Sequence, residues 1–107
     1  GVWVNLTPHV LNIRTAAGKM VTIPSSGVAR CREYRIPAGE IGGIQISVPV
    51  YGEVEGLPPP QPGVFFIVSA ITMAAVKDRK DVFCPGPAIR DPQGNVIGCD
   101  GLSRALL

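Results

Sequence analysis

Charge is scarce in this chain. Asp, Glu, Lys and Arg make up 17% of its 107 residues while 46% are apolar, against a usual charged fraction of about 25%. The net charge of +2 comes from ten dispersed cations, too weak a field for a nucleic-acid partner, which demands a clustered basic face. Arg30, Arg32 and Arg35 come nearest to a cluster. On an extended segment Arg30 and Arg32 share one side and Arg35 takes the other, so they read as solvated strand charge.

Histidine occurs once, as His9. The cysteines Cys31, Cys84 and Cys99 are odd in number, widely spaced and without a CxxC pair. That excludes the familiar zinc spacings and a disulfide scaffold, and no metal or cofactor is expected. If Asp91-Pro92-Gln93-Gly94 closes a hairpin, Cys99 falls opposite Gly86 or Pro87, which argues against a Cys84 to Cys99 bridge. Long apolar runs are missing too. Nothing approaches the roughly 20 residues of a membrane span, and no charged leader precedes an apolar core at the start, so a soluble cytoplasmic protein is expected.

What is present fits one domain over residues 1–107. A small body has much surface, and so few charges cannot cover it. Some apolar exterior is therefore expected to lie against a second copy, making a homo-oligomer. The local pattern is extended almost throughout. Leu11 to Thr15 and Met20 to Ile23 alternate around a short loop containing Gly18, a β-hairpin. An extended pattern runs from Val28 to Ile36. Ile44, Ile46, Val48 and Val50 alternate with polar residues as in a half-buried strand, and Pro49 puts that strand at an edge or at a bulge. Residues 56–63 hold four prolines and form a stiff connector. Val64-Phe65-Phe66-Ile67-Val68 predicts a central strand buried on both faces. Ser69 is an N-cap for a helix from Ala70 to Lys77. Ala88 to Arg90 and Asn95 to Ile97 flank a second hairpin turn. The fold class is mostly β, a small barrel or sandwich of about seven short strands with one short helix. The apolar tail Ala105-Leu106-Leu107 is expected to dock on its own subunit or a neighbour.

Candidate functional residues are few. His9 is the one imidazole for nucleophilic or acid–base work, though beside Pro8 it also suits a turn. Glu53 and Glu55 sit two apart between glycines in Tyr51-Gly52-Glu53-Val54-Glu55-Gly56, a spacing that can pair carboxylates on one side. The step Val68-Ser69-Ala70 offers backbone amides at a helix start to an anion, with Arg79 and Arg90 to complete the site. The ligand-binding candidates are thus His9, Tyr51, Glu53, Ser69, Arg79 and Arg90, with no catalytic residue assigned.

Asn5-Leu6-Thr7-Pro8-His9, Tyr51 through Pro58, Ile67-Val68-Ser69-Ala70, Arg79 with Asp81-Val82, and Pro85 through Asp91 together resemble a group of small uncharacterised bacterial, phage and mobile-element proteins. The resemblance spans nearly the whole chain. It implies an accessory gene product and carries no mechanism. Cys31 and Cys84 depart from the pattern, which weakens any reading that needs an essential thiol.

Three functions follow as expectations. The first is a non-enzymatic, oligomeric binding module that sequesters a small anionic or nucleotide-like ligand or holds a host protein. The second is a small hydrolase or lyase using His9 with Glu53 or Glu55. The third is a structural protein whose role is self-assembly.

Overall fold

The computed structural model describes residues 1–106, so of the apolar tail Leu107 lies outside the described residues while Leu106 is almost fully exposed. The strands in chain order are β1 (Val2–Asn5), β2 (Leu11–Arg14), β3 (Met20–Ile23), β4 (Arg30–Ile41), β5 (Ile44–Glu55) and β6 (Val64–Ile67). Helix α1 (Ala70–Ala75) precedes β7 (Val82–Pro85), β8 (Ala88–Arg90), β9 (Val96–Asp100) and β10 (Leu102–Ser103). The protein is mostly β with one short helix, and its sheets do not close into a barrel. Ten strands stand where about seven are expected from the sequence. The surplus is β1, β7 and β10, short pieces that lack the alternating length that makes a strand readable.

One sheet has the order β1-β6-β7-β10 and the other β3-β2-β9-β8. Strand β6 is central, parallel to both β1 and β7. Its alternation sends Phe66 and the following Val68 into one core with Leu6, Ala29 and Val82, and Ile67 into another with Ile13 and Cys99. Each core belongs to one face. Met73 and Val76 of the helical segment close over the first core, while Ile13 and Cys99 of the second sheet close over the other. The unbroken apolar run of residues 64–68 is thus explained by burial on both sides.

The β2–β3 hairpin pairs Leu11 with Ile23 and Arg14 with Met20, as its alternation predicts. Between β8 and β9 Cys99 faces Ala88, one place from the predicted register, because a bulge at Ile89/Arg90 takes up a residue. Cys84 and Cys99 are both buried free thiols. Burial, then the neighbouring Cys99, pushes the Cys84 thiol above its ordinary range.

Strands β4 and β5 stand apart from both sheets as a two-stranded antiparallel ribbon, each strand 12 residues long. Their turn is Gly42-Gly43, with φ of 58° and 80°, the two left-handed positions that a tight type I′ hairpin requires. This arm stretches the molecule to 51 × 40 × 26 Å with a radius of gyration of 16.4 Å, against about 13 Å for a compact domain of this length.

One face of the arm is apolar from base to tip. Ile44, Ile46, Val48 and Val50 share a side of β5, and Ile41, Ile36 and Tyr34 of β4 stand opposite Ile44, Val48 and Val50. The sequence reads the β5 alternation as half-buried, and the structure corrects that. These side chains are exposed, Ile41 to 75% and Ile44 to 69%. The alternation is real, but no element among the described residues covers it. The other face is polar, with Arg35 bound to Glu33 at 2.9 Å and to Ser47 at 3.4 Å.

Candidate functional site

The segment Asn5-Leu6-Thr7-Pro8-His9 folds around one buried amide. The Asn5 side chain is fully buried and uses every hydrogen bond it has. Its Nδ2 donates to the carbonyls of His9 (2.8 Å) and Ile23 (2.9 Å), and its Oδ1 accepts from the Thr7 amide (2.9 Å) and hydroxyl (2.7 Å). Ser25 Oγ then donates to the Thr7 carbonyl at 2.6 Å. It is the His9 carbonyl, rather than its ring, that fixes the turn. Leu6 turns into the core, and Thr7 and Pro8 form a rim.

That rim is one wall of a cleft of about 270 Å³ at the base of the arm. Val28 lies just before β4, Arg30 and Glu33 come from the start of β4, Tyr51 from β5, and Ser69 and Ile71 from the helix start. Arg30 faces Glu55 in the ribbon register, yet Glu55 turns to Arg32 at 3.6 Å. Arg30 therefore has no ion pair among the described residues. Tyr51 is 46% exposed and lines the same cleft. A free cation, an aromatic ring and an aliphatic wall of Leu6, Val28 and Ile71 meet here.

Ser69 is the N-cap, as expected: its Oγ accepts from the Thr72 amide at 3.3 Å and donates to Thr72 Oγ1 at 2.9 Å. The helix is only six residues long and stops at Ala75 rather than Lys77. Its capping hydroxyl is spent on Thr72, so the strand-to-helix step is closed by its own side chains. The cation of the cleft is Arg30, not Arg79 or Arg90.

Arg79 and Arg90 serve the fold instead. The Arg79 guanidinium grips Asp81 through Nε and Nη2, both at 2.8 Å, and its Nη2 donates to the Pro58 carbonyl at 3.0 Å. This hydrogen-bonded pair holds Asp81 below the usual carboxylate range and raises Arg79 above its own, with burial opposing both. It ties the prolyl connector to the start of β7. Arg90 reaches over its own turn to the Gly94 carbonyl at 2.7 Å, while Asp91 accepts from the amides of Gln93 and Asn95. The bonds from Asn95, backbone first, lower the Asp91 pKa.

His9 lines a different cavity, about 430 Å³, with Val10, Pro85, Ala88, Val96 and Ile97. Glu53 lies exposed at a β-bulge of the arm and borders neither cavity. The structure thus brings Tyr51 and Ser69 together and leaves His9, Glu53, Arg79 and Arg90 elsewhere. Sequence reasoning missed Arg30 as a site residue. Its neighbour Arg32 takes the carboxylate that pairing alone would give to Arg30, and nothing in the sequence marks that exchange.

A third cavity of about 360 Å³ opens between the sheets, with Trp3 and Phe83 as its aromatic wall and Arg14 and Arg104 nearby. Trp3 packs against Phe65 and Phe83 with ring centroids 5.1 and 5.2 Å away. Arg14 is already bound to Asp100 at 3.3 Å. No helix among the described residues is long and apolar enough to cross a membrane. No family model matches the chain, and no curated protein and no solved structure matches it.

Proposed function

We propose that the protein is a non-enzymatic binding module that works as a homo-oligomer and holds a small anionic, nucleotide-like ligand in the cleft at the base of its arm. The two stacked sheets are read as an open sandwich that serves as a rigid platform. The observation that carries the reading is Arg30, which has no ion pair among the described residues, in the cleft that the half-exposed Tyr51 also lines. A phosphate on Arg30 and a base against Tyr51 is the arrangement this chemistry favours. Sequestration of a host molecule by an accessory gene product of phage or mobile-element type fits such a module.

The acid–base alternative loses ground because His9 and the carboxylates of Glu53 and Glu55 do not border one cavity. General acid–base work needs its groups within reach of the same reacting atoms. The self-assembly reading keeps one specific support, the uncovered apolar face of the arm. Native mass spectrometry of protein purified from its own host, followed by titration with nucleoside monophosphates, tests the binding reading. A retained anion whose affinity falls about tenfold in Arg30→Ala supports it. Absence of any retained molecule and of any nucleotide binding leaves self-assembly as the function.

A further inference from the structure

The arm is too long and too greasy to stand alone. A two-stranded hairpin is at best marginally stable in water and needs packing on one face. Here that face is one uninterrupted apolar strip, and it ends in the two most exposed large side chains of the arm, Ile41 and Ile44. The Tyr34 ring lies over Gly52 at the base, where any Cβ would come within 2.8 Å of it. Arg32 sits 5.8 Å above that ring and pairs with Glu55, so charge begins where the strip ends.

The edges of the ribbon point to how it is covered. Pro37 of β4 stands opposite Ser47 and Pro49 of β5 opposite Arg35, so the two prolines occupy the same class of ladder site. A ribbon with one ladder cannot spare its inner donors, which places both prolines where the amide would face outward. Each free edge is thereby blunted against strand addition. Coverage must come onto the face.

We infer that the occupant is a second copy of this chain, whose arm lies antiparallel across the first so that the two apolar faces stack about a two-fold axis. Two observations favour an identical partner. The strip carries no charge that would need a complement, so it is complementary to itself, as a two-fold interface requires. Its half-exposed side chains present on the order of 700 Å², close to the roughly 800 Å² per partner of a standard interface. The inference rests on the oligomeric part of the proposed function and specifies the surface that makes the oligomer.

Sedimentation velocity on the full chain and on two variants tests it. Val48→Glu puts a charge in the middle of the strip, and Ser47→Glu puts the same charge on the polar face one residue away. The expected result is a wild-type dimer, at least a hundredfold weaker association in Val48→Glu, and a dimer retained in Ser47→Glu. Near-ultraviolet circular dichroism of Trp3 checks that the body of each variant stays folded. A wild-type monomer at high concentration overturns both this inference and the oligomeric reading. A wild-type dimer that Val48→Glu leaves intact, or that both variants weaken equally, overturns the stacked arms alone. As a second measurement, Val48→Cys next to the axis is expected to form an intermolecular disulfide under mild oxidation, and its failure to do so in a wild-type-like dimer counts against the stacking.

Discussion

The body and the arm of this protein solve opposite problems with the same strand chemistry. In the body the central strand is covered on both faces: Phe66 and Ile67 point in opposite directions and both are buried, by the helical side and by the second sheet. In the arm the same alternation produces a face with nothing on it. Alternation dictates which side of a strand is greasy. Whether that side is covered within the chain is decided by topology, and β4 and β5 pair only with each other. Polar groups divide in the same way. Asn5, Thr7 and Thr72 are buried and bonded in the body, whereas the arm keeps its ion pairs in water, where each adds little.

The contrast is broken most severely by removing Asn5. In Asn5→Ala the Ile23 carbonyl and the Thr7 amide lose their buried partner, and the Thr7 hydroxyl and His9 carbonyl keep only each other at 3.1 Å. A loss of about 3 kcal/mol or more is expected in chemical denaturation. A loss below about 1 kcal/mol contradicts the role given to this amide.

Gly56→Ala is next. Gly56 adopts φ of 83°, and an added Cβ would lie 2.6 Å from the Val28 carbonyl oxygen. Backbone strain and contact together are expected to cost about 2 kcal/mol. The junction of arm and body is therefore as intolerant as the core. Gly42 and Gly43 at the arm tip face open space, so an alanine there meets the conformational cost alone.

The Arg79 and Asp81 pair supplies a smaller, pH-dependent effect. Asp81 has a folded pKa below its ordinary 3.8. The folded state then binds fewer protons than the unfolded state as acid is added. Its contribution is complete above about pH 5 and is lost as pH falls below 3.8 through the lower folded value. Asp81→Asn is expected to flatten the acid limb of the stability profile in that window. At neutral pH it is expected to cost about 1 kcal/mol. An unchanged acid limb contradicts the assignment.

The smallest effect on folding is expected in the arm. Ile46→Ser is expected to change the stability of the body by less than about 0.5 kcal/mol when measured on the monomer. It is expected to weaken self-association all the same. That pairing of outcomes separates a docking face from a core.

Much of this was legible along the chain, and the failures share a cause. The β2–β3 hairpin, the doubly buried β6, the Ser69 cap and the edge position of Pro49 all depend on residues close together in sequence. The Gly42-Gly43 turn was equally local, yet the extended pattern read from the sequence stops at Ile36 and is not paired with Ile44 to Val50. Parallel pairing of β1 with β6 joins Val2 to Val64 across the whole arm, and no short pattern encodes that. Arg79 and Arg90 resembled ligand groups because a lone arginine does not reveal its partner. One is held by Asp81 and the Pro58 carbonyl, the other by its own turn. Arg30 was passed over for the converse reason: its carboxylate is taken by Arg32. Most residues of the distinctive segments turn out to hold the fold, through Asn5, Ser69, Gly56 and Asp91, while Tyr51 stays half-exposed in the cleft at the base of the arm.

Amide hydrogen exchange across a dilution series addresses the arm most directly. If a second copy covers the apolar face, the inner ladder amides of β4 and β5 exchange slowly in concentrated solution and quickly on dilution, while Phe66 and Ile67 stay protected throughout. Rapid exchange along the ribbon at every concentration, or protection that dilution leaves untouched, would show that no second chain lies on it.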